Sequence, residues 1–160
     1  MNIGNLKLKS NIFLAPMSGV TDFPYREIIK QFDPGLVFSE MIASRALIEK
    51  NKKTLKMIKK DSNHIYAIQI AGCDHNTMSE AAKICENEGA DIIDINMGCP
   101  AKKVVNGYAG SALMKDENLA GSIIESVVNS VNIPVTLKMR KGWDESALNA
   151  PRIAKIAENS

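Results

Sequence analysis

The residues best suited to chemistry stand where short apolar segments end. Cys99 closes the segment Asn-Met-Gly-Cys-Pro that begins at Asn96, and Gln69, Lys138 and Arg140 lie within or directly after two other apolar runs. A protonated thiol can donate a proton, and an amide offers both a donor and an acceptor to a polar ring. A lysine that ends a buried segment costs desolvation free energy, which argues against a purely structural role. These strand ends, rich in polar and small residues, are where the sequence predicts that a binding site would lie.

Several of these side chains also have a plainer interpretation. A free cysteine is most often a small buried hydrophobe, which would describe Cys99 if nothing else marked it. Asn96 could tie down the loop that follows it, and Gln69 could satisfy loop backbone groups. Cys85 lies on an apolar helical stripe and is predicted to be core. Nothing near Cys73 in the sequence would activate its thiol.

The familiar cofactor and metal fingerprints are missing from the sequence. No segment reads as Gly-x-x-x-x-Gly-Lys or Gly-x-Gly-x-x-Gly, and no cysteine or histidine spacing matches a zinc site. No Ser–His or Cys–His pairing stands out either, so we expect no metal and no catalytic triad.

A regular alternation of elements must position the candidate residues. Short apolar runs, too apolar for half-exposed strands, alternate five times with helix-spaced segments, which predicts an α/β fold with parallel strands covered by helices. The predicted strands cover 12–15, 36–38, 67–70, 92–95 and 134–138, and the helices start near Asp22, Arg45, Asp74, Asp116 and Ala147. Ligands bind at the carboxyl ends of the strands both in a doubly wound sheet and in a (β/α)8 barrel. Periodicity alone does not choose between these two folds.

Two local predictions concern the first third of the chain. Leu6 and Leu8 alternate with lysines, which predicts a small hairpin arm with its turn at Ser10 and Asn11. Residues 45–60 are predicted to form one helix, with seven basic residues against one acidic residue, a local balance of +6. Such a run could follow a phosphate backbone, but a solvated helix face is the favoured interpretation. Glu40 is interpreted either as orienting neighbours in the site or as capping a helix.

Composition excludes several classes of protein. The 160 residues are 45% hydrophobic and 24% charged, which is typical of a globular domain and excludes disorder and a disulfide scaffold. Lys and Arg number 20 against 18 Asp and Glu, so the net charge of +2 does not predict a nucleic-acid partner. Three cysteines suit a reducing cytoplasm, and neither a signal peptide nor a membrane span is present in this sequence.

Four segments, in order along the chain, resemble the bacterial tRNA-dihydrouridine synthases, and the third resembles most closely the subgroup named dihydrouridine synthase B. The segments are 15–22 (Ala-Pro-Met-Ser-Gly-Val-Thr-Asp), 69–72 (Gln-Ile-Ala-Gly), 94–104 (Asp-Ile-Asn-Met-Gly-Cys-Pro-Ala-Lys-Lys-Val) and 135–140 (Val-Thr-Leu-Lys-Met-Arg). The resemblance implies a flavin-binding TIM (β/α)8 barrel followed by a helical RNA-binding domain. It also implies reduction of the C5–C6 bond of tRNA uridines to 5,6-dihydrouridine, with FMN as hydride carrier and NADPH or NADH as reductant.

Roles for individual residues follow from the same resemblance. Cys99 is implied as the proton donor, which suits an ordinary thiol because its pKa of about 8.5 keeps it protonated at neutral pH. Pro16, Met17 and Ser18 match the segment that lies along the flavin ring. Gln69 matches a side chain that binds the polar edge of the ring, and Lys138 matches a cation near its pyrimidine end.

The substrate side carries four further expectations. Asn96 is expected to hold the uracil, whose edge is amide-like. Lys102 and Lys103 follow Cys99 and are expected to contact the backbone of a flipped-out uridine. Arg140 is expected to reach substrate or phosphate. The expected partner is therefore tRNA.

The length fits only part of such a barrel. A (β/α)8 barrel needs roughly 200–250 residues, so 1–160 is expected to be the N-terminal portion of the catalytic domain, with about five of eight strand–helix units. The later strands, the flavin-phosphate loops and the RNA-binding domain would lie outside it. We therefore expect the chain either to need a second chain that completes the barrel or to be an inactive fragment. Two other function classes stay open: a half-barrel that only binds RNA or protein, and a dihydroorotate dehydrogenase-like oxidoreductase acting on a free pyrimidine.

Overall fold

The alternation of apolar strands and amphipathic helices builds a curled parallel sheet. A computed structural model describes residues 1–58 and 64–160. The strands are β1 (Asn2–Ile3), β2 (Leu6–Lys7), β3 (Phe13–Leu14), β4 (Leu36–Phe38), β5 (Ile42–Ala43), β6 (Tyr66–Ala71), β7 (Ile92–Met97) and β8 (Val135–Met139). The helices are α1 (Phe23–Lys30), α2 (Ser44–Ile48), α3 (Lys52–Met57), α4 (His75–Asn87), α5 (Lys102–Val105), α6 (Glu117–Val128) and α7 (Ala150–Asn159), with a 3-10 helix at Gly110–Lys115.

The strand order distinguishes between the two folds that the sequence left open. The main sheet runs β3-β4-β6-β7-β8, with every pair parallel, and the short β5 also pairs with β6. This order follows the chain without the reversal that a doubly wound sheet requires. The prediction of an α/β fold forming an incomplete TIM barrel is therefore confirmed, as a half-barrel of five strands in the described part of the chain.

The core lies between this sheet and the helices that cover it. Strands β6 and β7 are buried along their whole length, and one face of α4 and of α6 packs on them. Three helices, α1, α4 and α6, begin where the sequence predicts, because Asp22, Asp74 and Asp116 each accept a hydrogen bond from a backbone N–H of the first turn. These caps fix where each strand-to-helix loop ends, and so where the loops that carry polar residues lie.

The predicted single helix over 45–60 is wrong. It divides into α2 and α3, because Lys50 takes a positive φ of 55° and the Asn51 side chain caps a new helix by accepting from the N–H groups of Lys53 and Thr54. The basic residues of α2, α3 and their junction are exposed, whereas Lys59 and Lys60 lie outside the described residues.

The predicted hairpin exists, but its predicted turn was wrong. β1 pairs with β2 in antiparallel register across Gly4 and Asn5, and Gly4 has a φ of 54° that suits glycine. The predicted turn residue Ser10 instead accepts a hydrogen bond from the N–H of Ile12. The last helix begins at Ala150 rather than near Ala147, with Pro151 in its first turn.

The two outer strands differ from the central ones in burial. β3 and β8 each pair with one neighbour only, among residues 1–58 and 64–160. The apolar side chains of β8 are partly exposed, whereas those of β6 and β7 are not. Such edges are suited to pairing with further strands. Among the described helices, none is both long enough and apolar enough to cross a membrane.

Candidate active site

Three adjacent strands bring the candidate residues to one end of the sheet. Asn96 on β7 is in register with Lys138 on β8, and Gln69 on β6 is in register with Asp94. The side chains of Gln69, Asn96 and Lys138 border a cavity of about 250 Å³. The residues that line it are Pro16, Ser18, Met41, Gln69, Asn96, Gly98, Cys99, Pro100 and Lys138.

Most of the predicted site residues meet at this cavity, and four do not line it. Met17 is 39% exposed, and its backbone N–H donates to the hydroxyl of Thr21. Lys102 and Lys103 lie exposed on α5, one turn beyond Cys99. Arg140 is exposed and spends its Nε–H on the carbonyl oxygen of Gly98, 2.6 Å away.

The loop that carries Cys99 is held by Asn96. The Oδ1 atom of Asn96 accepts from the backbone N–H of Gly98 at 3.2 Å and of Cys99 at 3.0 Å. The carbonyl of Cys99 in turn accepts from the N–H of Ser111 at 2.9 Å. Because both sides of the loop are tied, the half-buried thiol of Cys99 has a fixed base beside the cavity.

The contacts of Asn96 show which atoms of its amide are bonded within the fold. The sequence predicts that its amide offers a donor and an acceptor to a ligand, but two backbone N–H groups already occupy its oxygen. The alternative, that Asn96 ties down the following loop, describes what the oxygen does. One N–H of the Nδ2 group donates to Gln69 at 2.7 Å, which leaves the second N–H for a ligand.

Removing the Asn96 amide should therefore weaken the fold as well as the site. Asn96→Ala leaves the two loop N–H groups and the Gln69 oxygen without their partner, at an expected cost of about 1–3 kcal/mol in the free energy of unfolding. Urea denaturation at neutral pH measures this, with the exposed Asn76→Ala on α4 as the control. Equal stability of the two variants would contradict the assigned contacts.

A buried hydrogen-bond chain continues from Asn96 across the sheet. The Nε2 atom of Gln69 donates to Oδ2 of Asp94 at 2.6 Å, and the Thr136 hydroxyl donates to Oδ1 of Asp94 at 2.6 Å. Asp94 and Thr136 are not among the site residues that the sequence predicts. The available signal was strand alternation, since Asp94 lies two residues before Asn96 and so shares its face of β7.

Burial sets the ionisation of Asp94. The side chain is almost fully enclosed, and this burial raises the pKa of its carboxyl to about 6, against the opposing effects of the bonds from Thr136 and Gln69 and the charge of Lys138. The carboxyl therefore changes charge in the mildly acidic range.

The raised pKa of Asp94 predicts a pH-dependent gain in stability for Asp94→Asn. The folded chain binds this proton more tightly than the unfolded chain, so the stability that it contributes is present below about pH 4 and is lost as the pH rises through about 6. Asparagine does not ionise and keeps a similar shape. The variant should gain on the order of 2–3 kcal/mol over the wild type between about pH 4 and pH 7.5, measured by urea denaturation. A difference that does not change with pH would contradict this.

Two loop residues hold the cavity from the β4 side. The hydroxyl of Ser39 accepts from the backbone N–H of Gln69 at 3.0 Å. The Glu40 carboxylate accepts from the N–H of Gly19 at 2.6 Å, so it orients the loop after β3 rather than capping a helix. The loops after β3 and β4 are thereby tied to each other and to β6.

The other two cysteines, Cys73 and Cys85, do not line the cavity. Cys85 is fully buried on α4, and burial raises the pKa of its thiol to about 12, as expected for a core residue. Cys73 is half-buried at the end of β6. In the described ranges, no cluster of three or more His, Cys, Asp or Glu side chains could hold a metal ion.

Comparison with known proteins gives the same family throughout. The family model described as dihydrouridine synthase matches residues 13–160. A probable tRNA-dihydrouridine synthase of Rickettsia bellii is 57% identical over all of this chain and 50% of its own length. Relatives from Rhizobium leguminosarum (52% identical, 97% of this chain, 49% of the relative) and Pasteurella multocida (50%, 99% and 48%), the latter named tRNA-dihydrouridine synthase B, agree. The chain spans about half the length of these curated relatives, and it belongs to the dihydrouridine synthase family.

Proposed function

We propose that this chain forms the catalytic half of a cytoplasmic tRNA-dihydrouridine synthase, which reduces the C5–C6 bond of a tRNA uridine. The observation that carries the proposal is the single cavity that Cys99 shares with Gln69, Asn96 and Lys138, in a chain of this family. It combines a proton donor, two amides and a cation at the carboxyl ends of adjacent parallel strands, where barrels bind their ligands.

The residues of the cavity fit the ring portion of FMN. Pro16 and Ser18 give one wall, and Gln69 keeps one amide N–H beyond those bonded to described residues. Lys138 supplies a cation at the exposed end of β8. FMN, when bound, supplies the hydride for the reaction, and NADPH or NADH replenishes it. The role of Lys138 is to stabilise negative charge on the reduced ring.

Cys99 completes the reduction by giving the proton. Saturating the uracil double bond adds a hydride at C6 and a proton at C5. The S–H bond of Cys99 breaks as the C5–H bond forms, and the thiolate is reprotonated from solvent through the open side of the cavity. The fixed loop from Asn96 to Pro100 supports this role because it holds Cys99 at the cavity that we propose receives the uracil.

The substrate contacts follow from what the site leaves available. The second N–H of Asn96 can donate to a carbonyl oxygen of uracil. Lys102 and Lys103 lie exposed on α5 next to the Cys99 loop, where the phosphates of an extruded uridine would pass. Arg140 donates to the carbonyl of Gly98 in that loop, and its terminal nitrogens, which bond to no other described residue, are proposed to contact substrate or phosphate.

The open edges of the sheet imply that FMN binding needs further strands. We propose that β3 and β8 pair with strands outside these 160 residues, supplied by further sequence or by a second chain. The 160 residues alone should then bind FMN weakly, because only one side of the ring is held. Titration of FMN fluorescence measures this, and a stable yellow monomer would contradict it.

Comparing two substrates tests whether the protein reduces uridine in tRNA or a free pyrimidine. Purified protein with FMN and NADPH is offered either unmodified tRNA or a free pyrimidine such as orotate, and NADPH oxidation is followed. We expect oxidation to depend on tRNA. Dependence on the free pyrimidine would instead favour a dihydroorotate dehydrogenase-like enzyme. RNA binding without any oxidation in a flavin-loaded protein would favour a binding role.

A further inference from the structure

Asp94 is hydrogen-bonded to Gln69, which lines the cavity, and the proposed reaction gives Asp94 no proton to transfer. It is 2% exposed, it does not line the cavity, and its carboxylate is held from two neighbouring strands. The positive charge of Lys138 on β8 acts on the Asp94 carboxylate. On the β6 side, the carboxylate contacts the neutral amide of Gln69. A buried carboxylate at such a place requires a reason other than packing.

Along the hydrogen bonds that link Asp94 to the Cys99 loop, the donor and the acceptor of each bond are determined. An ionised carboxylate only accepts, so Gln69 must turn its NH₂ group towards Asp94 and its oxygen towards Asn96. Asn96 must then donate to Gln69, which turns its own oxygen towards the Cys99 loop. Backbone N–H groups only donate, so the loop end of the chain agrees with the carboxylate end.

Burial makes this direction matter energetically. Gln69 is 1% exposed and Asn96 is 8% exposed, so the bonds between the two amides and to Asp94 are buried, and breaking one of them is costly. If one amide turned over, two donors or two acceptors would face each other at a buried link. The carboxylate and the loop N–H groups therefore determine the orientation of both amides between them.

From this arrangement we propose that Asp94 is a positioning residue, which orients Gln69 and Asn96 and so holds the Cys99 loop against the cavity. The importance of that loop rests on the proposed function, but the positioning itself does not. The same orientation leaves Asn96 with a donor and no free acceptor for a ligand, so Asp94 also determines the hydrogen-bonding character of the site.

Thr136 provides a matched control. Its hydroxyl donates to the other oxygen of Asp94, so it touches the carboxylate without belonging to the chain that leads to Cys99. Thr136→Val removes a bond to Asp94 with little change in shape. Asp94→Asn keeps an acceptor for Gln69, whereas Asp94→Leu removes it at similar size.

The experiment measures local exchange and global stability together. Exchange of the Gly98 and Cys99 amide hydrogens is followed by NMR at neutral pH, and urea denaturation of the same samples gives the free energy of unfolding. Alkylation of Cys99 by iodoacetamide, in a Cys73→Ser background, reports on the accessibility of the thiol.

In Asp94→Leu the amide hydrogens of Gly98 and Cys99 should exchange about tenfold faster than global unfolding accounts for, and the alkylation rate of Cys99 should change. Asp94→Asn should restore both to within about twofold of the wild type, and Thr136→Val should leave both unchanged.

The possible outcomes separate this proposal from the proposed function. Unchanged exchange in a folded Asp94→Leu, no rescue by Asp94→Asn, or an equal loss in Thr136→Val would each overturn the positioning role. If Asp94→Leu does not fold, Gln69→Met interrupts the chain one residue later and must show the same faster exchange, or the proposal fails. A fully active Cys99→Ala would overturn the proposed function instead, without changing these exchange results.

Discussion

Replacing Cys99 with alanine is expected to lower the rate of uridine reduction in tRNA by about 10²–10⁴-fold, the usual contribution of a positioned general acid. The side chain borders the cavity, and Asn96 and Ser111 fix the loop that carries it, so its removal deletes the proposed proton donor without disturbing that loop. FMN binding should be unchanged, because the thiol is not among the groups proposed to hold the ring. Single-turnover formation of dihydrouridine measures the effect.

The matched control for this variant is Cys73→Ala. Cys73 is also half-buried and also follows a strand of the sheet, but it lies outside the cavity lining. The Cys73→Ala variant should reduce tRNA uridine at the wild-type rate. If Cys99→Ala kept full activity, or if both variants lost it equally, Cys99 would not be the proton donor.

Replacing Lys138 with methionine is expected to lower the rate of flavin reduction by NADPH by about 10²-fold. The lysine lies one residue before the end of β8, in register with Asn96, and it is the cation among the residues that line the cavity. Methionine keeps much of the length and removes the charge, so the loss reports on electrostatic stabilisation of the reduced ring. Stopped-flow absorbance of the bound flavin measures it.

Lys141→Met controls for a general loss of positive charge at this end of the sheet. Lys141 is exposed and pairs with Glu145 at 2.7 Å, and it does not line the cavity. Such a surface ion pair contributes little to stability, so both folding and flavin reduction should be unaffected. A similar slowing in both variants would assign the effect to overall charge rather than to Lys138.

Periodicity was sufficient to predict the large elements of this fold. The apolar run at Ile92–Met97 forms a strand at the predicted place. The apolar stripe that follows the cap residue Asp116 forms a helix at the predicted place. The failures fall on short elements. The divided helix between Arg45 and Ile58 depends on one positive φ at Lys50 and one cap at Asn51, and neither changes the hydrophobic pattern.

Some residues of the candidate site could be predicted from the sequence, and others could not. Gln69, Asn96, Cys99 and Lys138 could be named from the sequence because each lies at or after a strand end and matches a family motif. Asp94 was not identified as part of the site, because its importance lies in which amides it contacts. Those contacts depend on the register of β6, β7 and β8, which a single sequence does not display.

The most direct test of the central claim is the mass of tRNA after the reaction. Unmodified tRNA is incubated with the protein, FMN and NADPH, in the presence of whatever chain completes the barrel, then digested and analysed by mass spectrometry. The proposed function predicts that a single uridine-containing fragment gains the mass of two hydrogen atoms with the wild type and not with Cys99→Ala. Flavin-loaded wild-type protein that oxidises NADPH but leaves every tRNA fragment unchanged in mass would contradict it.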